Sequence, residues 1–175
     1  MHKDVDKLAR QIKLIFFDVD GVHTDGKLYF TATGETMKAF HSLDGVGIKM
    51  LLCSNFEVAL ITGRKSTIVS ARAAELGIKH LYQGKTQKVG AFNDCLQKLN
   101  ISAKNAAYMG DDVNDLPVMQ RAALSIAPAN AIDLVKANAD YITQRSGGNG
   151  AVREVCDFLL RAQYKWQQAI RIYEP

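Results

Sequence analysis

The stretch LIFFDVDGVHTDG, Leu14 to Gly26, sets four apolar residues directly against two aspartates one residue apart. An unbroken apolar run of strand length, bounded by polar turn residues, reads as a strand buried on both faces. Strands of that kind belong to parallel sheets covered by helices on either side. Asp18 and Asp20 then stand at the carboxyl end of the strand, where two carboxylates repel each other and give up water reluctantly. Something in the rest of the chain has to make that pairing tolerable.

The pattern repeats along the chain. Further strand-like runs are EVALI (57–61), KHLY (79–82), AAYM (106–109), ALSIA (123–127) and DYIT (140–143). The first several alternate with amphipathic segments of helix length, which predicts an α/β fold. Ser66 is placed to cap a helix running to Leu76, and Gly77 to supply its left-handed stop. After the first strand comes KLYFTATGETMKAFH (27–41), in which two alternating stretches flank Thr33-Gly34; this predicts a β-hairpin insertion. SGGNGAVREV (146–155) reads as a glycine-rich loop opening a helix, and DFLLRAQYKWQQAIRIY as its continuation, so loop and helix occupy about 146–175. With no linker or repeat in view, residues 1–175 read as a single domain.

Composition narrows the function classes. The 175 residues are 47% apolar and 23% charged, enough to build a core, with a net charge of +4 spread without long runs. That charge is too mild and dispersed for nucleic acid and suits a small anionic ligand. Cys53, Cys95 and Cys156 are odd in number and lack metal-site spacing, as expected of thiols in a reducing compartment. Without an apolar leader or a membrane-length apolar run, the expectation is a soluble cytoplasmic protein with no membrane partner.

In open parallel sheets, ligands bind beyond the carboxyl ends of the strands. Inspecting those ends collects Asp18 and Asp20, then Thr62-Gly63-Arg64, then Lys85 and Lys88 ahead of the next helix, then Gly110-Asp111-Asp112 with Asp115 following. An Asp-x-Asp pair alone specifies little, and each other piece has an ordinary structural use as turn, solvated helix start or N-cap. Their order at four successive strand ends is what carries the inference. Clustered carboxylates without His or Cys call for a hard cation, Mg²⁺ before a soft transition metal. Lysine and a threonine hydroxyl can hold phosphoryl oxygens. One carboxylate can attack phosphorus and the other can move the proton.

These residues resemble the motifs of the haloacid dehalogenase superfamily: DVDGVHTDG (18–26), ITGR (61–64), Lys88 and GDDVND (110–115). Over nearly the whole chain the order and spacing are similar to the 3-deoxy-D-manno-octulosonate 8-phosphate phosphatase family. TDGKLYF, GETMKAFHSLDGVGIKML, GDDVNDLP and GGNGAVREV carry that likeness. The resemblance implies a Rossmann-like parallel sheet with helices on both faces and no cap domain. It implies Asp18 as nucleophile, Asp20 as general acid/base, and Mg²⁺ held by Asp18, the Asp20 carbonyl and Asp111. Thr62 and Lys88 would contact the phosphoryl group, with Asp112 and Asp115 in supporting acidic roles; between Lys85 and Lys88 the family pattern favours Lys88.

The implied reaction is Mg²⁺-dependent hydrolysis of an octulosonate 8-phosphate, a lipopolysaccharide precursor. A nine-carbon ulosonate 9-phosphate is the alternative substrate, and a receiver-like signalling module the alternative class. Thr62, Gly63, Arg64 and Lys88 are the expected substrate contacts, while Arg72, Gly148 and Arg153 are candidates for substrate or lid contacts. Capless relatives of this kind form homotetramers whose hairpins close neighbouring sites, and the apolar Leu28, Phe30, Met37 and Phe40 suit such a surface. Two positions depart from the family pattern: His23, read as a neutral packed imidazole, and Leu43, where a basic residue is usual.

Overall fold

The computed structural model describes residues 4–173, so the first three and last two residues of the 1–175 unit lie outside it. In chain order the elements are α1 (Val5–Arg10), β1 (Leu14–Phe17), β2 (Tyr29–Thr31), β3 (Gly34–Met37), α2 (Ser42–Cys53), β4 (Glu57–Ile61), α3 (Thr67–Leu76) and β5 (His80–Tyr82). They continue with α4 (Val89–Leu99), β6 (Ala106–Met109), α5 (Leu116–Met119), β7 (Leu124–Ala127), α6 (Asp133–Ala137), β8 (Tyr141–Ile142), α7 (Ala151–Ala162) and α8 (Trp166–Ile170).

Six strands form one parallel sheet in the order β5-β4-β1-β6-β7-β8. The chain builds outward from β1 through β4 to β5, then returns to the other side of β1 through β6. The order therefore reverses at β1, and the crevice between diverging connections opens at its carboxyl end. Phe17 pairs with Leu60 on one side and Met109 on the other, so Asp18, Thr62 and Asp111 leave the sheet as neighbours.

Period-two alternation feeds two cores. Ile15, Phe17, Val58, Leu60, Ala107 and Met109 face the layer of α2, α3 and α7. Leu14, Phe16, Ala59, Ile61, Ala106 and Tyr108 face the layer containing α4 and α5. Every residue of β1 is buried on both faces, as its unbroken apolar run requires. Ser66 caps α3 by accepting from the Val69 N–H, and Gly77 ends that helix in the left-handed region, as its sequence predicts.

Two local expectations are corrected. The hairpin exists, but its loop is Ala32-Thr33, with Gly34 (φ +117) already paired to Thr31. The helix from Ala151 does not run through the last stretch. It stops at Ala162, Tyr164 turns left-handed (φ 58), and the Lys165 N–H returns to the Leu160 carbonyl. The cause is tertiary: the Gln163 amide donates to the carbonyls of Ala9 and Ile12, and Lys165 Nζ donates to that of Ser54. These bonds turn the chain back so that Ala169 and Trp166 pack on the core.

The loop after β1 is wound tightly. The N–H groups of Val22, His23 and Thr24 all donate to the Val19 carbonyl, and the Thr24 hydroxyl accepts from Gly21 and Gly26. The glycine-rich loop presses on it from outside. Asn130 donates to the Gly21 carbonyl at 2.9 Å and accepts from the Gly147 N–H at 2.6 Å. A Cβ on Gly147 would lie 1.9 Å from the Gly21 carbonyl oxygen. Gly147→Ala is expected to lower stability by about 2 kcal/mol or more, because backbone rather than a flexible side chain must give way. Gly90→Ala, whose Cβ meets open space on α4, should raise stability by ~0.5–1 kcal/mol. Urea denaturation of both variants measures the contrast.

Candidate active site

The floor of the crevice is a buried ion cluster. Lys88, just ahead of α4, places Nζ 2.8 Å from Asp18 Oδ2 and 2.7 Å from Asp115 Oδ1. The Asp115 carboxylate is fully buried and fully bonded. It accepts from Lys88, from the Tyr108 hydroxyl at 2.6 Å, and from the N–H groups of Asp111 and Asp112 at 3.0 and 3.3 Å. Asp115 thus ties the turn after β6 to the lysine and fixes where Asp111 and Asp112 stand.

Asp18 and Asp111 carry what charge remains. Ligand oxygens of Asp18, Asp111 and Asp115 lie within 4.8 Å of one another. Burial, then the neighbouring Asp115, pushes the Asp18 carboxyl up to about 7 against the opposing pull of Lys88. Burial, then Asp18 and Asp115, pushes Asp111 up to about 7 as well. Asp111 Oδ1 is buried with no hydrogen-bond partner. Gly21 makes room for this carboxylate, since a Cβ there would fall 1.9 Å from Asp111 Oδ2. An oxygen-only donor set with an unsatisfied buried carboxylate oxygen fits a hard divalent cation.

Above this floor the crevice encloses about 320 Å³, lined by Asp18, Asp20, Gly26, Leu28, Thr62, Gly63, Arg64, Asp111, Asp112 and Asn114. Thr62 is buried, and its Oγ1 accepts from the Arg64 N–H at 3.3 Å. Gly63 leaves open space where a side chain would project. The Arg64 guanidinium, about half exposed, lies 5.8 Å from the Phe30 ring centre and reaches within 3.8 Å of Asp20 Oδ2. Asp112 is exposed at the rim, with Oδ1 accepting from the Val113 N–H.

Most sequence-predicted residues are therefore brought together, with Asp115 beneath the crevice. Three are not. Arg72 packs on the Phe40 ring, pairs with Glu75 at 2.8 Å and sits against Gly45 of α2. Arg153 pairs with Asp157 at 2.6 Å on α7, and its N–H donates to Asp44. Gly148 donates to the Val22 carbonyl and buttresses the loop after β1. Local helix partners and packing hold all three away from the crevice of their own chain.

Lys85 is exposed, whereas Lys88 is buried between carboxylates, which separates the two lysines. His23 is buried edge-on to Phe17, with burial, then Arg72, depressing it to about 3, so it is neutral and packed as read. Leu43 is exposed at the start of α2.

Two participants escape a reading by motif. Tyr108 sits inside an apolar strand, and its signal is the hydroxyl, since a buried phenol needs a partner. Lys38, after β3, is buried and joined to Asp20 and Glu35. A lysine in a hairpin reads as solvated, and nothing local marks it otherwise.

A strand-end pair of aspartates, a buried lysine and an acidic turn on a doubly covered parallel sheet define a class. Residues 64–155 match the haloacid dehalogenase-like hydrolase family, and the chain is a hydrolase of that kind. It is 52% identical over 166 residues to the 3-deoxy-D-manno-octulosonate 8-phosphate phosphatase KdsC of Escherichia coli K12, covering 95% of this chain and 88% of that protein. Its fold is similar to the Yersinia pestis phosphatase of the same name (TM-score 0.92, 46% identity, 94% of this chain and 89% of the other). It is equally similar to the Moraxella catarrhalis phosphatase solved with magnesium, phosphate and KDO (TM-score 0.94, 40% identity, 99% and 100%). The chain belongs to the 3-deoxy-D-manno-octulosonate 8-phosphate phosphatase family.

The raised carboxyls give the crevice a pH signature. Protons bind Asp18 and Asp111 more tightly in the folded chain than in the unfolded one, where their ordinary value is 3.8. That contribution to stability is complete below pH about 4 and is lost as pH rises through about 7. A divalent cation replaces the protons, so the rise in Tm on adding Mg²⁺ should be small at pH 5 and several degrees larger at pH 8. Thermal unfolding at the two pH values checks this; an equal rise at both would place cation binding elsewhere.

Proposed function

We propose that the chain is a Mg²⁺-dependent phosphomonoesterase that converts 3-deoxy-D-manno-octulosonate 8-phosphate to the free sugar acid and phosphate through an aspartyl phosphate on Asp18. The observation that carries this reading is the buried set Asp18, Lys88 and Asp111 at the end of β1, with Asp20 and Thr62 at the edge of the same crevice. The names of relatives covering nearly the whole chain support the substrate, and the complex of the Moraxella protein supports the metal.

Asp18, aligned by Lys88, attacks phosphorus, and the bond to the sugar oxygen breaks. Asp20 gives its proton to that oxygen as it leaves. Water then attacks the phosphorus of the aspartyl phosphate, Asp20 takes its proton, and phosphate departs with Asp18 restored. Lys88 and the Thr62 hydroxyl meet the phosphoryl oxygens, whose charge grows during transfer. Asp18, the Asp20 carbonyl and Asp111 would hold Mg²⁺, which when bound neutralises charge on the transferring group. Arg64, at the rim, offers a forked donor to the sugar-acid carboxylate. Asp115 and Asp112 shape the turn that presents Asp111.

The unit works as a homotetramer in the cytoplasm. Leu28, just before β2, is exposed, as are Tyr29, Phe30 and Met37 on a two-stranded sheet that stands apart from the main one, and an isolated hairpin is marginal unless covered. Phe40, by contrast, packs on its own core. Three cysteines without disulfides suit a reducing compartment.

Phosphate release measured across a panel of sugar-acid phosphates with Mg²⁺ should be fastest with the eight-carbon 8-phosphate. Asp18→Asn should lower it by about 1,000-fold or more while leaving the circular dichroism spectrum unchanged. Retained turnover in that variant would refute the nucleophile. Sedimentation velocity should give a tetramer, and a fully active monomer would refute the assembly.

A further inference from the structure

The buried lysine at the root of the hairpin is not used by the mechanism above. Lys38 follows β3, and its side chain is 1% exposed. An ammonium so placed loses its water and is tolerated only where partners replace the hydration. Lys38 has two carboxylate partners. Nζ donates to Asp20 Oδ1 and to Glu35 Oε1, the latter at 3.0 Å. Glu35 is held in turn, because its second oxygen accepts from the Ser66 hydroxyl. Ser66 caps α3 and is itself pinned by its N–H donating to Gln83 Oε1 at 2.6 Å.

A continuous polar path therefore runs from the start of α3, through Glu35 and Lys38 of the arm, to the carboxylate of Asp20. Asp20 has little else to orient it. Its other oxygen faces the Arg64 guanidinium, at 3.8 Å and about half exposed. An aspartate has few rotamers but chooses among them by its partners. A proton donor must stand within hydrogen-bond reach of the leaving oxygen, so its rotamer decides whether it acts.

We propose that Lys38 is a positioning residue for Asp20, joining the hairpin arm to the carboxylate that hands the proton to the leaving sugar oxygen. The inference rests on the assignment of Asp20 as general acid. It locates the function of Lys38 in proton transfer, separately from whatever the arm's exposed apolar side chains contact. Lys38 neither attacks nor moves a proton; it keeps one oxygen of Asp20 fixed so that the other is aimed.

The test uses the dependence on leaving group. In a single turnover, an alkyl ester such as the octulosonate 8-phosphate needs its oxygen protonated, whereas p-nitrophenyl phosphate releases a stabilised phenolate. Lys38→Met should slow release of the sugar about tenfold or more, within the range of a lost acid. Release of nitrophenolate should fall less than about threefold, with KM for both esters little changed. Lys38→Arg, keeping charge and donors, should recover most of the loss, and Glu35→Gln should give a smaller loss with the same selectivity. Equal losses for both esters, or no loss for either, would overturn the proposal. Asp20→Asn separates the two readings: if it shows the selectivity and Lys38→Met does not, only the role of Lys38 fails, whereas its absence from Asp20→Asn refutes the general acid itself. Should Lys38→Met fail to fold, Lys38→Arg and Glu35→Gln carry the same comparison, and unselective loss in Glu35→Gln overturns the proposal.

Discussion

One buried ammonium, Lys88 Nζ between the carboxylates of Asp18 and Asp115, is the constraint on which the site depends. Charges taken out of water are tolerated only when paired and hydrogen-bonded. Lys88 satisfies that condition for itself and for Asp115, which collects Tyr108 and two main-chain N–H groups besides. One ammonium cannot balance three carboxylates. The surplus falls on Asp18 and Asp111, whose carboxyls are both raised and one of whose oxygens is orphaned. The fold therefore leaves an unmet demand for positive charge on the floor of the crevice, where a divalent cation would meet it. Asp18 carries that demand and lines the crevice.

That arrangement is inexpensive to build because of where β1 lies in the sheet. With β4 and β6 on its two sides, the residues that leave three adjacent strands are neighbours without further bending. The loop that follows β1 needs only to turn tightly, and it does so around the Val19 carbonyl. Gly21 lets Asp111 approach, and Gly147 lets the late loop close over the turn. The glycine-rich segment is thus a brace, with its backbone packed on the loop that carries Asp20.

The parts legible in the sequence are those whose cause is local or periodic. β1 and its flanking strands announce themselves as apolar runs, and Asp18, Thr62 and Asp111 are found because each directly ends one. Ser66 and Gly77 mark α3 through cap chemistry that acts within one turn. Partners far apart in sequence hide the rest. Lys88 and Lys85 look alike until the start of α4 points one inward and leaves the other in water. Arg72 and Arg153 look available until Phe40, Glu75 and Asp157 engage them. The end of α7 is set by Gln163 reaching the carbonyls of Ala9 and Ile12, which no helical pattern near Gln163 can show. Lys38 is hidden most completely, since its partners lie on the first loop and within its own hairpin.

The hairpin also shows how a chain without a cap can still govern its crevice. Between β1 and β4 the described chain holds the tight loop after β1, the arm and α2. The arm carries two chemistries side by side: the exposed apolar side chains of Leu28, Tyr29, Phe30 and Met37, and the polar pair Glu35 and Lys38, tied to Asp20 and to the start of α3. Leu28 lines the crevice, and Phe30 stacks with Arg64 at its rim. Covering those apolar side chains would hold the strand that carries Glu35 and lead it into Lys38 with less freedom. A covered apolar surface and the partners of Asp20 would then share one hairpin.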